Sequence, residues 1–137
     1  MSSDTWKDDK SYRLILDNGS KWMRFGRVDQ EMDLQRVMNL IGSSKKNNDQ
    51  IWFEDLEKIF DESHYKFNKP HVRGVLVNYD VQMNLWSKLF NDQTGEKNMK
   101  GYSLTITNQI AAPSRSKEKL LEILFEYYGF ANLAIPQ

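Results

Sequence analysis

The sequence contains no cysteine, so disulfide bonds and thiolate metal sites are excluded. It also lacks an excess of one charge, because 19 Lys and Arg balance 19 Asp and Glu. That balance argues against direct, sequence-specific binding of nucleic acid, which depends first on neutralising phosphates. Apolar runs of 18 residues are missing as well, and the polar N-terminus has no signal-peptide core. We therefore expect a soluble intracellular chain that does not enter a membrane.

What is present is the pattern of one folded α/β domain. The length of 137 residues and the 12% aromatic content suit a modest core. Residues 1–11 are polar and are predicted to be a disordered tail, and residues 12–137 form the folded part. Strand patterns fall at 12–16, 21–28, 36–41, 74–78, 102–107 and 130–135, and helical patterns at 51–60, 80–90 and 113–128. Asp80 is the predicted N-cap of the second helix, Gly129 follows the third, and residues 66–71 are a predicted connector. The order predicts a mixed sheet, with a three-stranded β-meander followed by parallel β-α-β-α-β units. The polar stretch 43–50 is predicted to be a mobile loop.

The stretch "LILDNGSKWMRFG", residues 14–26, allows two interpretations. Asn18-Gly19 between two strand patterns is typical of a tight type I′ hairpin turn. Backbone N–H groups around a glycine turn can also form a nest for phosphate, and Asp17 could hold water on a magnesium ion. The local sequence leaves both open.

Other polar residues give weaker signals. His64 and His71 are seven residues apart without a cysteine, which argues against a metal site. The pairs Lys45-Lys46 and Lys117-Lys119 indicate solvated surface. Trp86 and Tyr127-Tyr128 lie on helical stripes and are predicted to be core residues.

Three ordered segments share a resemblance to one family. The stretch "LILDNGSKWMRFG" resembles the first phosphate loop of actin and the actin-related proteins. "RGVLVNYDVQMNLWSKLF" resembles the segment that re-enters the large domain and begins a helix. "LTITNQIAAPSRSKEKLLEILFEYYGF" resembles the following strand, loop and helix. Together they cover most of residues 12–130, and their sequences are most similar to a nuclear branch of the family.

The resemblance implies an α/β fold of the actin-like (ribonuclease H-like) ATPase type, of which this chain is the first lobe. Residues 12–137 would be the N-terminal part of that domain, with 43–70 as the small-domain insertion. The second phosphate hairpin and the adenine pocket would then lie beyond Gln137. Counted without gaps, Gln137 aligns with the glutamine that orients the attacking water in actin, but that role is not assigned to Gln137 because the resemblance does not fix the register at this end.

The resemblance also implies a nucleotide phosphate-binding site, at which some residues match actin and others differ from it. Asp17, Gly19 and Ser20 match the phosphate loop, and Asp17 would hold Mg²⁺ indirectly. Lys21 stands where actin has a glycine, and its side chain would either crowd the approach of phosphate to the backbone or place its ammonium on the phosphate. Arg24 stands where actin has the phosphate-contacting lysine, and this exchange keeps charge but not shape. Asn108 replaces a carboxylate that follows the next strand in actin. ATP with Mg²⁺ is therefore the candidate cofactor, and with one lobe only we expect neither hydrolysis nor another enzymatic activity.

The resemblance to the nuclear branch implies a non-catalytic scaffold subunit. Such a subunit would be clasped by other subunits of a nuclear chromatin-remodelling complex that exchanges a histone variant. The alternative is an ATP-binding actin-like protein of the cytoskeleton or of dynactin type, located in the cytoplasm. A third reading is an incomplete gene product with no stable fold.

Overall fold

The computed structural model describes residues 13–28, 34–73, 75–107 and 114–135, and all structural statements below concern these residues. The strands are β1 (Arg13–Asn18), β2 (Trp22–Arg27), β3 (Gln35–Met38), β4 (Ile41–Ser44), β5 (Gln50–Ile51), β6 (Tyr65–Asn68), β7 (His71–Val72), β8 (Val75–Leu76), β9 (Ser103–Thr107) and β10 (Asn132–Ala134). The α-helices are α1 (Tyr79–Thr94) and α2 (Ser114–Glu122). No helix within these ranges is long and apolar enough to cross a lipid bilayer.

The main sheet has five strands in the order β10-β9-β1-β2-β3. Strands β1, β2 and β3 pair antiparallel as a meander, while β9 pairs parallel with both β1 and β10. The predicted mixed sheet is thus confirmed. The first predicted βαβ unit is wrong, however, because β8 does not join this sheet. It pairs with β7 as a short separate hairpin, and its residues are only half-buried.

One face of the main sheet carries the hydrophobic core. Alternate residues of β1, β2 and β9 point toward α1 and are buried, in keeping with the period of two in a strand; they are Leu14, Leu16, Met23, Phe25, Leu104 and Ile106. The helix contributes Leu85, Trp86, Leu89 and Phe90, as its spacing predicted. The sequence misplaced its N-cap: the side chain of Asn78, not that of Asp80, accepts the hydrogen bond from Val81 N at 3.1 Å.

A smaller sheet occupies the region between β3 and β7. Its strand order is β5-β4-β6, and a 3-10 helix, Phe53–Lys58, lies between β5 and β6. Four predictions are wrong here, wholly or in part. The strand 36–41 is two strands in different sheets, broken at Asn39. The loop 43–50 is confirmed for residues 45–49, while its ends belong to β4 and β5. The helix 51–60 is a short 3-10 helix, and the connector 66–71 contains most of β6. Each element is too short to show a period.

The last helix departs from regular α geometry. Residues Ile123–Tyr127 form a π turn, closed by a 3.1 Å hydrogen bond from Tyr128 N to Ile123 O. The wider turn shifts the buried face by one position. Tyr128 is therefore buried as predicted, whereas the predicted core residue Tyr127 is 63% exposed. Gly129 follows with a φ of 76°, which confirms its place just after the helix.

Candidate functional site

The loop of the β1–β2 hairpin is wider than a two-residue turn. Asn18 still pairs with Met23, so four residues, 19–22, connect the strands. Neither Asn18 nor Gly19 has a positive φ, so the predicted type I′ turn is wrong. A Cβ at Gly19 would lie 2.6 Å from the carbonyl oxygen of Trp22. Glycine is therefore required by this close approach of the loop to itself.

Asp17 and Arg24 lie on the face of the sheet turned away from α1. They are directly opposite each other across β1 and β2, so their side chains share that face. Asp17 is half-buried, and Thr107 Oγ1 donates to its Oδ1 at 2.7 Å. Thr107 is the parallel neighbour of Asp17 on β9. The pairing orients the carboxylate and engages one of its two oxygens.

Ser20 and Lys21 form the exposed tip of the hairpin. They line a cavity of about 760 Å³ between the hairpin and the smaller sheet, called here the hairpin cavity. Its other lining residues are Met38, Leu40, Leu56, Ile59, Glu62, Phe67, Lys69, His71 and Arg73. The structure therefore divides the five predicted residues: Asp17 and Arg24 on the open sheet face, Ser20 and Lys21 at the cavity, and Gly19 between them.

A chain of buried amides supports the hairpin from behind. Trp86 Nε1 donates to Asn18 Oδ1 at 3.2 Å, and Asn18 Nδ2 donates to Gln82 Oε1 at 3.0 Å. Gln82 Nε2 then donates to Asn39 Oδ1 at 3.0 Å, and Asn39 Nδ2 donates to Gly19 O at 2.8 Å. Gln82 and Asn39 are completely buried. The chain thus runs from α1 to the backbone of the loop, with each amide oriented by the next.

Asn39 holds the loop at two points. Besides its side-chain bond to Gly19, its backbone N–H donates to Lys21 O at 2.9 Å. Asn39 lies between β3 and β4, where the main sheet gives way to the smaller one. The carbonyl groups of the loop are therefore tied to the junction of the two sheets, and the position of the tip depends on this junction.

His71 closes the network on the side of the hairpin cavity. Its Nδ1 lies 3.4 Å from Asn39 Nδ2. Because that amide donates to Gly19 O and its oxygen accepts from Gln82, the histidine Nδ1 must be the acceptor. Burial lowers the pKa of His71 below its usual value, which favours the same neutral form. His64 is different: it is exposed and lies 3.1 Å from Asp61.

The hairpin residues have the chemistry to meet a phosphate group with magnesium. The Ser20 hydroxyl, the Lys21 ammonium and the Arg24 guanidinium are donors to phosphate oxygens, and the remaining Asp17 oxygen suits a magnesium-bound water. Arg24 lies opposite that carboxylate across the two strands. These roles stay predictions. Two further positions of interest, Asn108 and Gln137, lie outside the described residues. Among those described, no group of three His, Asp or Glu side chains could hold a metal ion.

Sequence reasoning missed the residues that orient the hairpin. Asn39 was assigned to the interior of a strand. Gln82 lies in a helix for which only the apolar stripe was assigned to the core. The available signal for Gln82 was its position: it is a polar residue at the helical spacing of the buried face. Nothing local marked Thr107, since its role follows from the parallel register of β1 and β9.

Comparison with known proteins gives a consistent result. The family model described as Actin matches residues 8–136. An actin-like protein of Caenorhabditis elegans is 31% identical over 123 residues, which are 88% of this chain and 28% of that protein. Actin-related protein 6 of Dictyostelium discoideum is 23% identical over 120 residues, covering 88% of this chain and 24% of that protein. Actin-related protein 6 of Neurospora crassa is 29% identical over 124 residues, covering 87% and 28% respectively.

The chain therefore spans about a quarter of the length of these relatives. The similarities confirm the predicted resemblance to the actin-related proteins, with actin-related protein 6 among the proteins matched. The mixed main sheet, with its meander, agrees with the first lobe of an actin-like fold. Since the family match extends over nearly the whole described structure, this chain belongs to the actin family.

Proposed function

We propose that this chain is a non-catalytic, actin-related scaffold subunit, or a part of one, in a nuclear complex that exchanges a histone variant into nucleosomes. The observation that carries the proposal is Lys21. At the tip of the hairpin, where the family resemblance expects a glycine, the chain has a long cationic side chain beside the hairpin cavity. In this proposal the Lys21 side chain crowds the approach of a phosphate to the backbone N–H groups of the loop, rather than placing its ammonium on the phosphate.

The support of the hairpin points the same way. The best-satisfied polar groups of this region face inward: Asn18, Gln82 and Asn39 bind one another and the loop carbonyls. They connect the main sheet, α1 and the smaller sheet. The hairpin is thus a rigid connection between these three parts of the fold. A protein that holds partners in place depends on such rigidity more than on a mobile phosphate-binding loop. In the same proposal, residues 43–70 are the small-domain insertion.

The second candidate is an ATP-binding actin-like protein of the cytoskeletal or dynactin type. It is favoured by the retained Asp17, Gly19 and Ser20, and by the orientation of the Asp17 carboxylate through Thr107. ATP with Mg²⁺ would then rest on the hairpin residues named above. The two candidates differ in where the chain works and in what it binds.

The proposal is tested by capture of binding partners. The tagged chain is used to capture proteins from nuclear and cytoplasmic extracts, which are identified by mass spectrometry. Subunits of a histone-exchange complex in the nuclear fraction are the expected result. Actin or dynactin subunits from the cytoplasmic fraction would contradict it and support the second candidate. Capture of chaperones alone would contradict both and indicate an unfolded fragment.

A direct measurement of nucleotide binding complements this test. We expect a fluorescent ATP analogue with Mg²⁺ to bind the native chain weakly, and a Lys21→Gly variant to bind it about tenfold more tightly. Lys45→Gly is the control, since it removes the same side chain from an exposed loop position away from the hairpin. Tight binding to the native chain, unaffected by Lys21→Gly, would favour the second candidate.

A further inference from the structure

The hairpin cavity combines an apolar floor with a charged rim. The floor is formed by five side chains: Met38, Leu40, Leu56, Ile59 and Phe67. Its volume of about 760 Å³ lies within the range of known ligand pockets, about 300–1,000 Å³. Phe67 is 38% exposed in this floor, although aromatic side chains of this size are usually buried. Phe67, with the half-buried Met38 and Ile59, is therefore the accessible part of the floor, while Leu40 and Leu56 are each only 7% exposed and lie deeper.

The floor is shaped by a glycine beneath it. A Cβ at Gly42 would come within 2.8 Å of Leu56 Cδ2 and 3.4 Å of Phe67 Cε1. Both side chains therefore lie on the backbone of β4 itself. These two floor residues therefore pack directly against the smaller sheet.

The rim is strongly cationic. Lys21, Lys69 and Arg73 are exposed there, against one carboxylate, that of Glu62. His71 adds no charge, because its Nδ1 accepts the amide of Asn39. Three cations around an apolar floor favour a ligand that carries negative charge on either side of an apolar group.

We propose that the hairpin cavity binds an acidic segment of a partner protein, with a large apolar side chain in the floor and carboxylates on the rim. This inference rests on the proposed scaffold function and names the kind of partner segment it would use. Charge complementarity selects the occupant. A nucleotide polyphosphate fits this cavity less well, since it would place several negative charges over five apolar side chains and beside Glu62. Such a segment would also cover Lys21 and the hairpin tip.

Alternation along β6 supplies matched variants for a test. Phe67 on β6 and Lys69, which directly follows the strand, line the cavity, whereas Lys66 does not and lies on the opposite face of β6 from Phe67. Lys69→Glu and Lys66→Glu therefore change the net charge equally, but only the first alters the rim. Phe67→Ser and Phe60→Ser form a second pair, since Phe60 is fully exposed and lines a different pocket.

The probe is a fluorescein-labelled peptide in which glutamates flank a central Leu-Phe pair, with binding followed by fluorescence anisotropy. We expect Lys69→Glu and Phe67→Ser each to weaken binding by at least about fivefold, and Lys66→Glu and Phe60→Ser to leave it unchanged. Peptides with glutamine for glutamate, or with Ser-Ser for Leu-Phe, should also bind less well. Equal losses within each pair of variants would overturn the inference.

Two further outcomes separate the alternatives. If inorganic triphosphate binds with the same dependence on Lys69 and the peptide does not, the cavity is a phosphate site and the inference is wrong. If native and Lys69→Glu chains capture the same histone-exchange subunits from nuclear extract, the proposed function stands while the cavity inference fails. If the peptide binds at the cavity but no such subunits are captured, the cavity inference stands while the proposed function fails.

Discussion

At the scale of single residues, the main feature is an uninterrupted chain of buried amides. A buried polar group is destabilising unless it is hydrogen-bonded, and here each amide both donates and accepts. Gln82 is the central member, because its two side-chain atoms bind Asn18 and Asn39. The network therefore specifies one orientation of the loop relative to α1, and a change at Gln82 should be felt on both sides.

Replacing Gln82 with methionine tests this at nearly constant volume. The change leaves Asn18 Nδ2 and Asn39 Oδ1 buried without these partners, at about 1–3 kcal/mol each. We expect the free energy of unfolding to fall by roughly 2–4 kcal/mol, measured by urea denaturation with tryptophan fluorescence. Asn84→Met, on the exposed side of the same helix, should change it by less than about 0.5 kcal/mol. An equal loss in both variants would show that the network adds no stability.

At the scale of elements, the hairpin shows why a glycine is needed even though its φ is not positive. Gly19→Ala would place a methyl group 2.6 Å from the Trp22 carbonyl oxygen, which is backbone and can yield only if the loop moves. We expect a loss of about 1–3 kcal/mol in unfolding free energy, with NMR amide shifts changing over residues 20–24.

The control for the hairpin is Gly95→Asn. Gly95 also follows a structured element and has a φ of 77°, but a side chain there meets nothing within 4 Å. Asparagine tolerates that conformation, so the change should cost little and leave the hairpin shifts unaltered. Unchanged hairpin shifts in Gly19→Ala would show that the loop accommodates a side chain.

The π turn after α2 determines which of two adjacent tyrosines, Tyr127 or Tyr128, is buried and hydrogen-bonded to α1. Tyr128 OH donates to Met83 O at 2.7 Å and lies 2.9 Å from Ser87 Oγ, so it fastens this turn to α1. Tyr128→Phe should lower the free energy of unfolding by about 1 kcal/mol in urea denaturation. Tyr127→Phe removes the same atom from an exposed ring and should have an effect below about 0.5 kcal/mol. An equal or larger effect of Tyr127→Phe would show that the Tyr128 hydroxyl does not stabilise the contact between this turn and α1.

These elements also show what the sequence could predict. Long periodic segments were assigned well: the α1 stripe and strands β1, β2 and β9, of five or six residues each, have enough repeats for a period to appear. The smaller sheet was not, because strands of two to four residues show no period and are fixed by pairing partners distant in sequence. The family resemblance located the hairpin, yet its division into a sheet-face pair and a cavity pair depended on tertiary packing.

At the scale of the whole molecule, the junction of the two sheets combines apolar contacts with directed hydrogen bonds, since Ile41 and Phe53 belong to the main core cluster. Asn39 connects them along the chain, and His71 approaches from β7 on the side of the cavity. An apolar junction would tolerate small displacements, whereas directed hydrogen bonds fix one arrangement. The relative position of the sheets should therefore depend on the protonation state of His71.

Protonation of His71 should weaken the fold as the pH falls. Its pKa is lowered in the folded state by burial, so in the range below the usual value of about 6.5 the unfolded chain binds more protons. Stability from this group is then fully present above that value and is lost as the pH falls toward the folded pKa, by at most about 1.4 kcal/mol per pH unit. The protonated ring would also turn an N–H toward the Asn39 amide and add a fourth cation beside Lys21, Lys69 and Arg73.

Urea denaturation at pH 7.5, 6.5 and 5.5 should show this loss of stability in the native chain and in His64→Gln, whose ring is exposed. His71→Gln should lower stability at pH 7.5 but flatten the dependence on pH. A slope that persists in His71→Gln would assign the acid sensitivity to the carboxylates instead.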